Sequence, residues 1–507
     1  MGVLALALFA YTAWRFTVGQ GGVPLDDAWI HFQFARNLAQ GNGWSFNPGQ
    51  PTSGSTAPLW TVLLAALYFV GGDFPIAGQA ASAICYLGAV GMTYALGHCL
   101  VTDRRWPAWL AAAIVALNGR MVWAGLSALE TCLFTALSLA AIRGYLRDRA
   151  DGRYRLGTAA LFGLAALSRP EGYLLFALSL ALWLIPQFLP SSPTTGDPKR
   201  RYRQWVRSLF SLLTVLVVFA AIVCPYLWFS FRTSGHWLPN TYHAKATVDL
   251  RPDMDFLSVA ARYLILDNPL LLPFYVLGIG VLIPSAPLLS LWSVGLPLAY
   301  AFLHAALYQH GRYLMPLIPV NALVGAAGLE KFLIWARQQP RTGWARRVTA
   351  AWRVRWSRWA LLAALLLGTA WRLPTMCGQY ARNVREINQM HVAIGHWAAE
   401  HTPPDSVLAL NDIGAIGYIS QRPVFDLAGL VTPEVTSILH SPESERADRL
   451  FALMAARDVA YVIVFPNWFP DLTAHEERLE EVYRVTLTGR TIAGGDAMVV
   501  YRFVSPP

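Results

Sequence analysis

The first three quarters of the chain alternate between long apolar runs and short polar connections. A helix that crosses a bilayer needs about 20 mostly apolar residues, or about 17 at the short end. Runs of this kind, or nearly so, predict eleven spanning helices near residues 2–18, 76–100, 107–123, 128–145, 156–170, 172–189, 207–230, 269–284, 287–308, 314–330 and 359–375. The first run lacks a basic leader and a clean cleavage site, so we expect it to be a retained span. The pattern predicts an all-α polytopic membrane protein.

The apolar stretch 57–72 is shorter than a helix that crosses the membrane normally needs to be. If it crossed, the acidic residues that precede it would lie on the opposite face from the later polar loops. We therefore expect it to lie along the outer membrane surface or to insert only partly. This interpretation makes residues 19–75 the first outer loop, with juxtamembrane helices inside it.

The pattern changes after residue 377, where short alternating segments replace the long runs. β-rich segments at 406–410, 422–430 and 458–465 predict strands, and the segments "EEVYRVTLTGR" and "DAMVVYRFV" predict two more. Helical spacing appears at 445–460, and "NDIGAIGY" reads as a turn into a short helix. The chain therefore divides into a membrane part, residues 1–376, and an α/β domain outside the membrane, residues 377–507.

Charge supports this topology. Only 14% of the residues are charged, against about 25% in soluble domains. The loops near 101–106, 143–155, 196–207 and 331–358 hold 20 of the 40 Lys and Arg residues, whereas the alternate loops hold 9 and the tail 11. Cytoplasmic loops are rich in Lys and Arg, so the N-terminus is expected inside and the C-terminal domain outside. The net charge of +10 thus reflects topology and not a nucleic-acid partner, and the five cysteines, mostly inside apolar runs, suggest no disulfide framework.

Two adjacent acids, Asp26 and Asp27, open the segment "PLDDAWIHFQFARNLAQGNGWSFNPG". Asp26 is a suitable N-cap for a helix from residue 27 to residue 40 that ends at Gly41, and Asp27 would complement the helix dipole. Capping does not explain the surrounding aromatic residues or the Gly/Asn/Pro-rich loop that follows. Capping and catalysis both remain open for this pair.

Other charged residues are expected at the same outer level. Glu130 begins an apolar run, where an acid costs roughly 2.5–3.5 kcal/mol and is a functional candidate; the alternative is a helix-start carboxylate near water. Arg169 and Glu171, in "SRPEG", could simply pair with each other. Lys245 and Arg312 could bind a phosphate, although a single Arg at a membrane edge more often extends to the lipid headgroups.

No Walker motif, GxSxG, HExxH or CxxC occurs, so nucleotide binding, serine hydrolysis and zinc chemistry lack support. Outward carboxylates together with cations fit transfer of a group from a lipid phosphate. A carboxylate would take the proton of an acceptor hydroxyl, and the cations would stabilise the departing phosphate.

The segment "DDAWIHFQFARNLAQGNGWSFNPGQPTSGSTAPLW", residues 26–60, resembles the first outer loop of bacterial GT-C glycosyltransferases, which use polyprenyl-phosphate sugars. Weaker likeness continues in "GLSALETCLFTAL", "SRPEG", "LPNTYHAK", "GRYLMPLIP" and "NDIGAIGYISQRPVFDLAGLV". The class includes arabinofuranosyl, aminoarabinose and protein mannosyl transferases. The resemblance implies the GT-C fold and an extracytoplasmic α/β domain that covers the cavity or helps to bind acceptor.

The resemblance also implies site residues. Asp26 would be the general base of an inverting transfer, Asp27 a supporting acid or metal ligand, and Glu130 a second acid. The donor phosphate would be held by Lys245, Arg312, His243 and Arg169. A divalent ion is compatible with the class but not required, and Asp412 and Asp426 are expected only to cap a short helix and close a turn.

The implied partners are a polyprenyl-phosphate sugar, a cell-envelope glycan, lipid or protein acceptor, and the inner membrane of a bacterium. A different interpretation is a transporter or flippase of a lipid-linked sugar, with the same acids as a proton relay. Such transporters often show repeated halves with broken helices. The sequence shows no repeat, and its polar residues collect on one side of the membrane.

Overall fold

The structure is a computed structural model that describes residues 1–71, 74–100, 105–188, 198–239, 251–303, 309–338 and 355–504. A helical bundle precedes a small sheet domain. Helices of the first half have the bounds Gly2–Phe16, Asp27–Ala39, Pro58–Tyr68, Phe74–Leu100, Trp106–Leu117, Gly119–Gly125, Thr131–Asp151, Leu156–Ser168, Glu171–Phe188 and Pro198–Ser234. The bundle continues with Met254–Asp267, Leu272–Leu282, Pro287–Phe302, Leu317–Gln338, Arg355–Ala370, Leu373–Ile387 and Ala393–His401.

Four described helices are long and apolar enough to cross a membrane: Phe74–Leu100, Phe210–Ser234, Leu317–Ala336 and Trp359–His401. The number rises to six if each of two bent helix pairs counts as one span. Shorter apolar helices occupy most of the other predicted spans, including Gly2–Phe16 and Leu156–Ser168. The structure thus confirms a predominantly helical chain with many apolar helices, while the count of eleven spans remains a prediction.

The run predicted as one span at 107–123 is instead bent by 65° between Trp106–Leu117 and Gly119–Gly125. Asn118 causes the break, because its side-chain oxygen accepts hydrogen bonds from the backbone N–H groups of Arg120 and Met121 and so begins a new helix. A second bend, of 97°, separates Met254–Asp267 from the following helix at Pro269. Both bends lie beside residues that become important in the site.

The stretch predicted to lie along the membrane surface forms the 11-residue helix Pro58–Tyr68. An α-helix of that length is roughly 16 Å long, about half the hydrocarbon thickness. It packs against the helix Asp27–Ala39, and the buried Trp60 donates its indole N–H to the carbonyl of Ala128 at 3.1 Å. Its length therefore agrees with a helix that does not cross, and its position at the surface remains a prediction.

The tail contains a five-stranded sheet with the order β2-β1-β3-β5-β4. The strands are β1 (Val407–Leu410), β2 (Val424–Asp426), β3 (Val459–Val464), β4 (Leu479–Thr486) and β5 (Ala497–Phe503). β1 pairs in parallel with β2 and β3, whereas β5 is antiparallel to β3 and β4. All five predicted strands are present, and their inward side chains pack against the helices Gly414–Ser420, Pro433–Leu439, Glu443–Ala456 and Pro470–Thr473.

Helical structure continues through the predicted boundary at residue 377, because an apolar helical segment runs from Trp359 to His401. The part Leu373–Ile387 packs along the first helix, Gly2–Phe16. Asn388 donates its side-chain N–H to the carbonyl of Gly21 at 2.7 Å. The tail is therefore joined to the bundle by both packing and hydrogen bonds, close to the two acids of the first loop.

Candidate active site

The two adjacent acids of the first loop face different partners. Asp27 pairs with Arg312, with 2.8 Å between Oδ2 and Nη2, and 28% of its side chain is exposed. Asp26 is buried and accepts hydrogen bonds from the backbone N–H groups of Gly414 at 2.8 Å and Ala415 at 2.7 Å. The pair therefore divides between a charged cluster in the bundle and a contact with the tail domain.

Of the two alternatives left open for Asp26, capping of its own helix does not occur, because its side chain makes no capping hydrogen bond to the helix that begins at Asp27. It satisfies the first N–H groups of the helix Gly414–Ser420 in the tail instead. The backbones are so close that a Cβ at position 414 would lie 2.2 Å from the carbonyl oxygen of Asp26. Only glycine fits at this contact.

Asp412 was predicted to cap that same short helix, and this is wrong. Its carboxylate pairs with His391 at 2.8 Å, and Asp26 takes the capping position. Burial raises the pKa of Asp26 to about 6; the negative charge of Asp412 adds to this, whereas His391 opposes it. Asp426, by contrast, closes a turn as predicted. Its carboxylate accepts hydrogen bonds from the backbone N–H groups of Ala428 and Val431, at 2.8 Å each.

Arg312 is positioned by an unusual turn. Gln309, His310 and Gly311 have positive φ angles of 56°, 60° and 66°, a conformation that residues other than glycine adopt rarely. Arg120 stabilises this turn by donating to the carbonyls of His310 and Gly311, at 2.8 Å each. Arg120 in turn pairs with Asp267 at 2.7 Å, so the turn is anchored next to both helix bends.

Arg312 is only 6% exposed, so in the described structure it is buried and does not extend from the surface. Its Nη2 binds Asp27, while Nε and Nη1 are buried without a hydrogen-bond partner among the described residues. Buried donors normally find acceptors, and an unpaired one costs free energy. Two free donors of a buried guanidinium form a site suited to the oxygens of an anion. The predicted phosphate ligands Lys245 and His243 lie outside the described residues.

A second buried network lies beside this pair. Arg169 donates from Nη1 to Glu130 at 2.6 Å and from Nε and Nη2 to Glu171 at 2.8 and 2.6 Å. The hydroxyl of Tyr300 also donates to Glu171. The predicted pairing of Arg169 with Glu171 is confirmed, and Glu130 shares the same cation. Because these contacts engage all three nitrogens of Arg169, its role in binding a phosphate remains a prediction with less support than that of Arg312.

His31 is a residue of this site that the sequence analysis missed. Its Nε2 lies 3.8 Å from Glu130, and its Nδ1 lies 3.3 Å from the hydroxyl of Thr61. Asp27 and His31 are four residues apart and so share one helix face. That spacing is the signal that could have identified it. Arg120 was missed as well, because nothing local to "NGRMV" reveals the turn that it binds.

The described residues do not form a metal site of the usual kind. Among them, no group of three or more His, Cys, Asp or Glu side chains could hold an ion. Asp27, which was considered as a metal ligand, has an arginine as its partner. Its charge is therefore compensated by a guanidinium in this arrangement.

Comparison with known proteins adds to this picture. A family model described as a domain of unknown function (DUF8728) matches residues 382–501, which is most of the tail. The terminal β-(1→2)-arabinofuranosyltransferase of Mycobacterium tuberculosis is 28% identical over 265 residues, which cover 48% of this chain. The match covers 38% of that relative, so the chain spans well under half of its length.

Solved structures are similar over the whole chain. ArnT from Cupriavidus metallidurans in the apo state matches with a TM-score of 0.59 at 13% identity, covering 99% of this chain and 98% of ArnT. The same ArnT has been solved bound to undecaprenyl phosphate. The oligosaccharyltransferase of Archaeoglobus fulgidus matches with a TM-score of 0.57 at 12% identity, covering 100% and 74% of the two chains. The chain has the GT-C glycosyltransferase fold that its motifs predict.

Proposed function

We propose that the protein is an inverting glycosyltransferase that moves a sugar from a polyprenyl-phosphate donor to a cell-envelope acceptor on the outer face of the membrane. The observation that carries this proposal is the ion pair of the partly exposed Asp27 with the buried Arg312, whose Nε and Nη1 have no hydrogen-bond partner among the described residues. A carboxylate beside an anion-binding guanidinium is the minimum needed for transfer from a phosphate. ArnT, which shares the fold, binds undecaprenyl phosphate, and this supports the donor class.

We assign the general base to Asp27 in place of Asp26. Both oxygens of Asp26 accept backbone hydrogen bonds from the tail, whereas Asp27 is partly exposed and faces the cation. Arg312 favours the ionised form of Asp27, which is the form that accepts a proton. Asp26 then fixes the position of the loop, and Asp27 performs the chemistry.

In the proposed reaction, an acceptor hydroxyl attacks the anomeric carbon of the donor sugar. Its proton passes to Asp27, the new C–O bond forms, and the bond between the anomeric carbon and the phosphate oxygen breaks. The electron pair leaves with the polyprenyl phosphate, where Arg312 stabilises the growing charge. Attack from the face opposite the phosphate inverts the anomeric configuration.

The network of Glu130, Arg169 and Glu171 supports this pair. Two carboxylates surround one guanidinium, so the network has a net negative charge next to Arg312. That charge helps to keep Arg312 in place, because an arginine buried away from water needs compensating charge. We assign Glu130 a positioning role within this network.

The experiment uses purified protein in detergent with a panel of radiolabelled polyprenyl-phosphate sugars and an extract of cell-envelope acceptors. Glycosyl transfer releases free polyprenyl phosphate and places label in the acceptor. A transporter would move the intact donor between compartments and release neither product. Absence of transfer in detergent, together with donor movement in proteoliposomes, would replace this proposal with the transport function.

A matched control keeps the assay specific. Glu434 pairs with Arg457 on the exposed surface of the tail domain, far along the chain from the site. The substitution Glu434→Gln removes one carboxylate, as Asp27→Asn does, and should leave transfer unchanged. Equal losses in both variants would show that the assay reports general damage to the protein.

A further inference from the structure

A basic groove lies at the other end of the helix that begins next to Glu130. The cavity has a volume of about 340 Å³ and is bordered by Arg143, Arg147 and Arg155. Arg143 and Arg147 follow Glu130 by 13 and 17 residues along one helix, which places them roughly 20–25 Å away along its axis. The distance approaches the thickness of a membrane core, so the span predicted at residues 128–145 would place this groove and the candidate active site near opposite faces.

The groove has an excess of positive charge. Its one lining acid, Asp148, is fully buried and is bound by Arg155 through both the side chain and the backbone N–H, at 2.9 Å each. Arg143 and Arg147 have no carboxylate partner among the described residues. The Nε of Arg143 is buried without a hydrogen-bond partner there. The groove therefore offers donors that an anion would satisfy.

The other wall of the groove is apolar. Met92, Ala140 and Leu161 come from three different helices and lie beside the arginines. A soluble anion would gain nothing from these side chains, whereas a lipid presents a phosphate and an acyl chain together. Basic pockets between membrane helices on the cytoplasmic side bind acidic headgroups. The concentration of Lys and Arg in this loop places it on the cytoplasmic side.

We propose that this groove binds an anionic phospholipid of the cytoplasmic leaflet, with the headgroup phosphate held by Arg143 and Arg147 and the acyl chain against Met92 and Leu161. The site is separate from the proposed catalytic cluster and has no part in the transfer reaction. Its occupant stabilises the folded protein, because a ligand that binds only the native state shifts unfolding by mass action.

The test compares thermal unfolding and native mass spectra of the detergent-purified protein with added phosphatidylglycerol, phosphatidylcholine or inorganic phosphate. Phosphatidylglycerol should raise the unfolding temperature and be retained in the mass spectrum. Arg143→Gln with Arg147→Gln should weaken its binding roughly thirtyfold, as expected for two arginines facing an acidic lipid. Inorganic phosphate at the same concentration should not reproduce the effect.

The control variant carries Arg105→Gln and Arg153→Gln, two exposed arginines of the same basic side that do not line the groove. It should bind phosphatidylglycerol like the unmodified protein. Equal weakening in both double variants would show diffuse attraction and overturn the site, as would equal stabilisation by phosphatidylcholine. Stabilisation by inorganic phosphate alone would assign the groove to a soluble anion. If the double variant folds poorly, Arg147→Glu alone gives the same comparison against Arg153→Glu.

Discussion

Asp26 and Asp27 are neighbours in sequence, yet each belongs to a different region of the molecule. Asp27 lies in the charged cluster at the end of the bundle, where two donors of Arg312 have no acceptor in the part of the chain that the structure describes. Asp26 lies at the contact with the tail domain, where both of its oxygens are engaged by backbone. The comparison indicates that the carboxylate bound by backbone N–H groups holds two parts of the chain together, while the carboxylate paired with Arg312 lies next to an anion-binding arrangement.

The two regions are mechanically connected. The contact of Asp26 with the tail fixes the residue directly before Asp27, and the tail helix residue Asn383 binds the turn that carries Arg312, at 2.9 Å from His310. Both members of the proposed catalytic pair therefore depend on the tail for their positions. The tail is part of the site's framework even though it supplies no residue to the charged cluster.

The largest effect should come from exchanging one acid at a time. Asp27→Asn removes the proposed base and should lower the rate of sugar transfer by roughly 10²–10⁴. Asp26→Asn retains one side-chain oxygen that can accept a hydrogen bond from the tail. In protein that remains folded, it should therefore lower the rate of transfer less than Asp27→Asn does. Initial rates of both variants, measured on material with unchanged gel-filtration behaviour, decide the assignment. A greater loss in Asp26→Asn would return the role of base to Asp26.

Arg312→Lys should weaken binding of undecaprenyl phosphate by roughly tenfold to a hundredfold. Lysine keeps the charge but loses the planar fork, so it cannot bind Asp27 and phosphate oxygens at the same time. Lipid-induced stabilisation or direct lipid binding measures the loss. Arg457→Lys, at an exposed ion pair of the tail, is the matched control. Unchanged lipid affinity in Arg312→Lys would contradict a phosphate-binding role.

Gly414→Ala tests the Asp26 side of the comparison without changing any charge. The added methyl group would overlap the backbone oxygen of Asp26 at 2.2 Å and its Oδ2 at 2.6 Å. Forced overpacking of this kind typically costs about 1–3 kcal/mol, so the tail should be cleaved faster by protease and the unfolding midpoint should fall. Gly489→Ala, where a Cβ meets nothing within 4 Å, should leave both unchanged. Similar cleavage of the two variants would show that the contact is dispensable.

The smallest effect is a pH dependence of stability. Asp26 has a pKa of about 6 in the folded protein against 3.8 normally, so the folded state holds this proton more tightly than the unfolded chain. The resulting stabilisation is complete below pH 4 and is lost as the pH rises to about 6. Unfolding midpoints across pH 4–7 should therefore fall less steeply in Asp26→Asn. An identical slope in the two proteins would show that another group, such as His391, causes the pH dependence.

The sequence predicted local features well and distant pairings poorly. The five strands were predictable because alternation of inward and outward side chains is a local pattern. The pair of Arg169 and Glu171 was predictable because only Pro170 separates the two residues, in a tight turn. The contact between Asp27 and Arg312 joins residues 285 positions apart, and no local pattern encodes it.

The bend at Asn118 shows a feature that hydropathy did not predict within the run 107–123. The run 107–123 is apolar throughout most of its length, and hydropathy gives little weight to one asparagine and one glycine. Asn118 nevertheless ends one helix and begins the next, because its side chain satisfies two backbone N–H groups. The resulting change of direction brings Arg120 to the turn before Arg312.

The contact of Asp26 with the tail has a consequence for biosynthesis. Its two partners are made 388 and 389 residues later in the chain. At about 5–20 residues per second, a ribosome needs roughly 20–80 s to cover that interval. During this time the first loop lacks its contact with the tail domain. A nascent chain interrupted between positions 312 and 414 has Asp27 and Arg312 but lacks the contact that positions Asp27, so the proposed activity is expected only after the tail domain has been made.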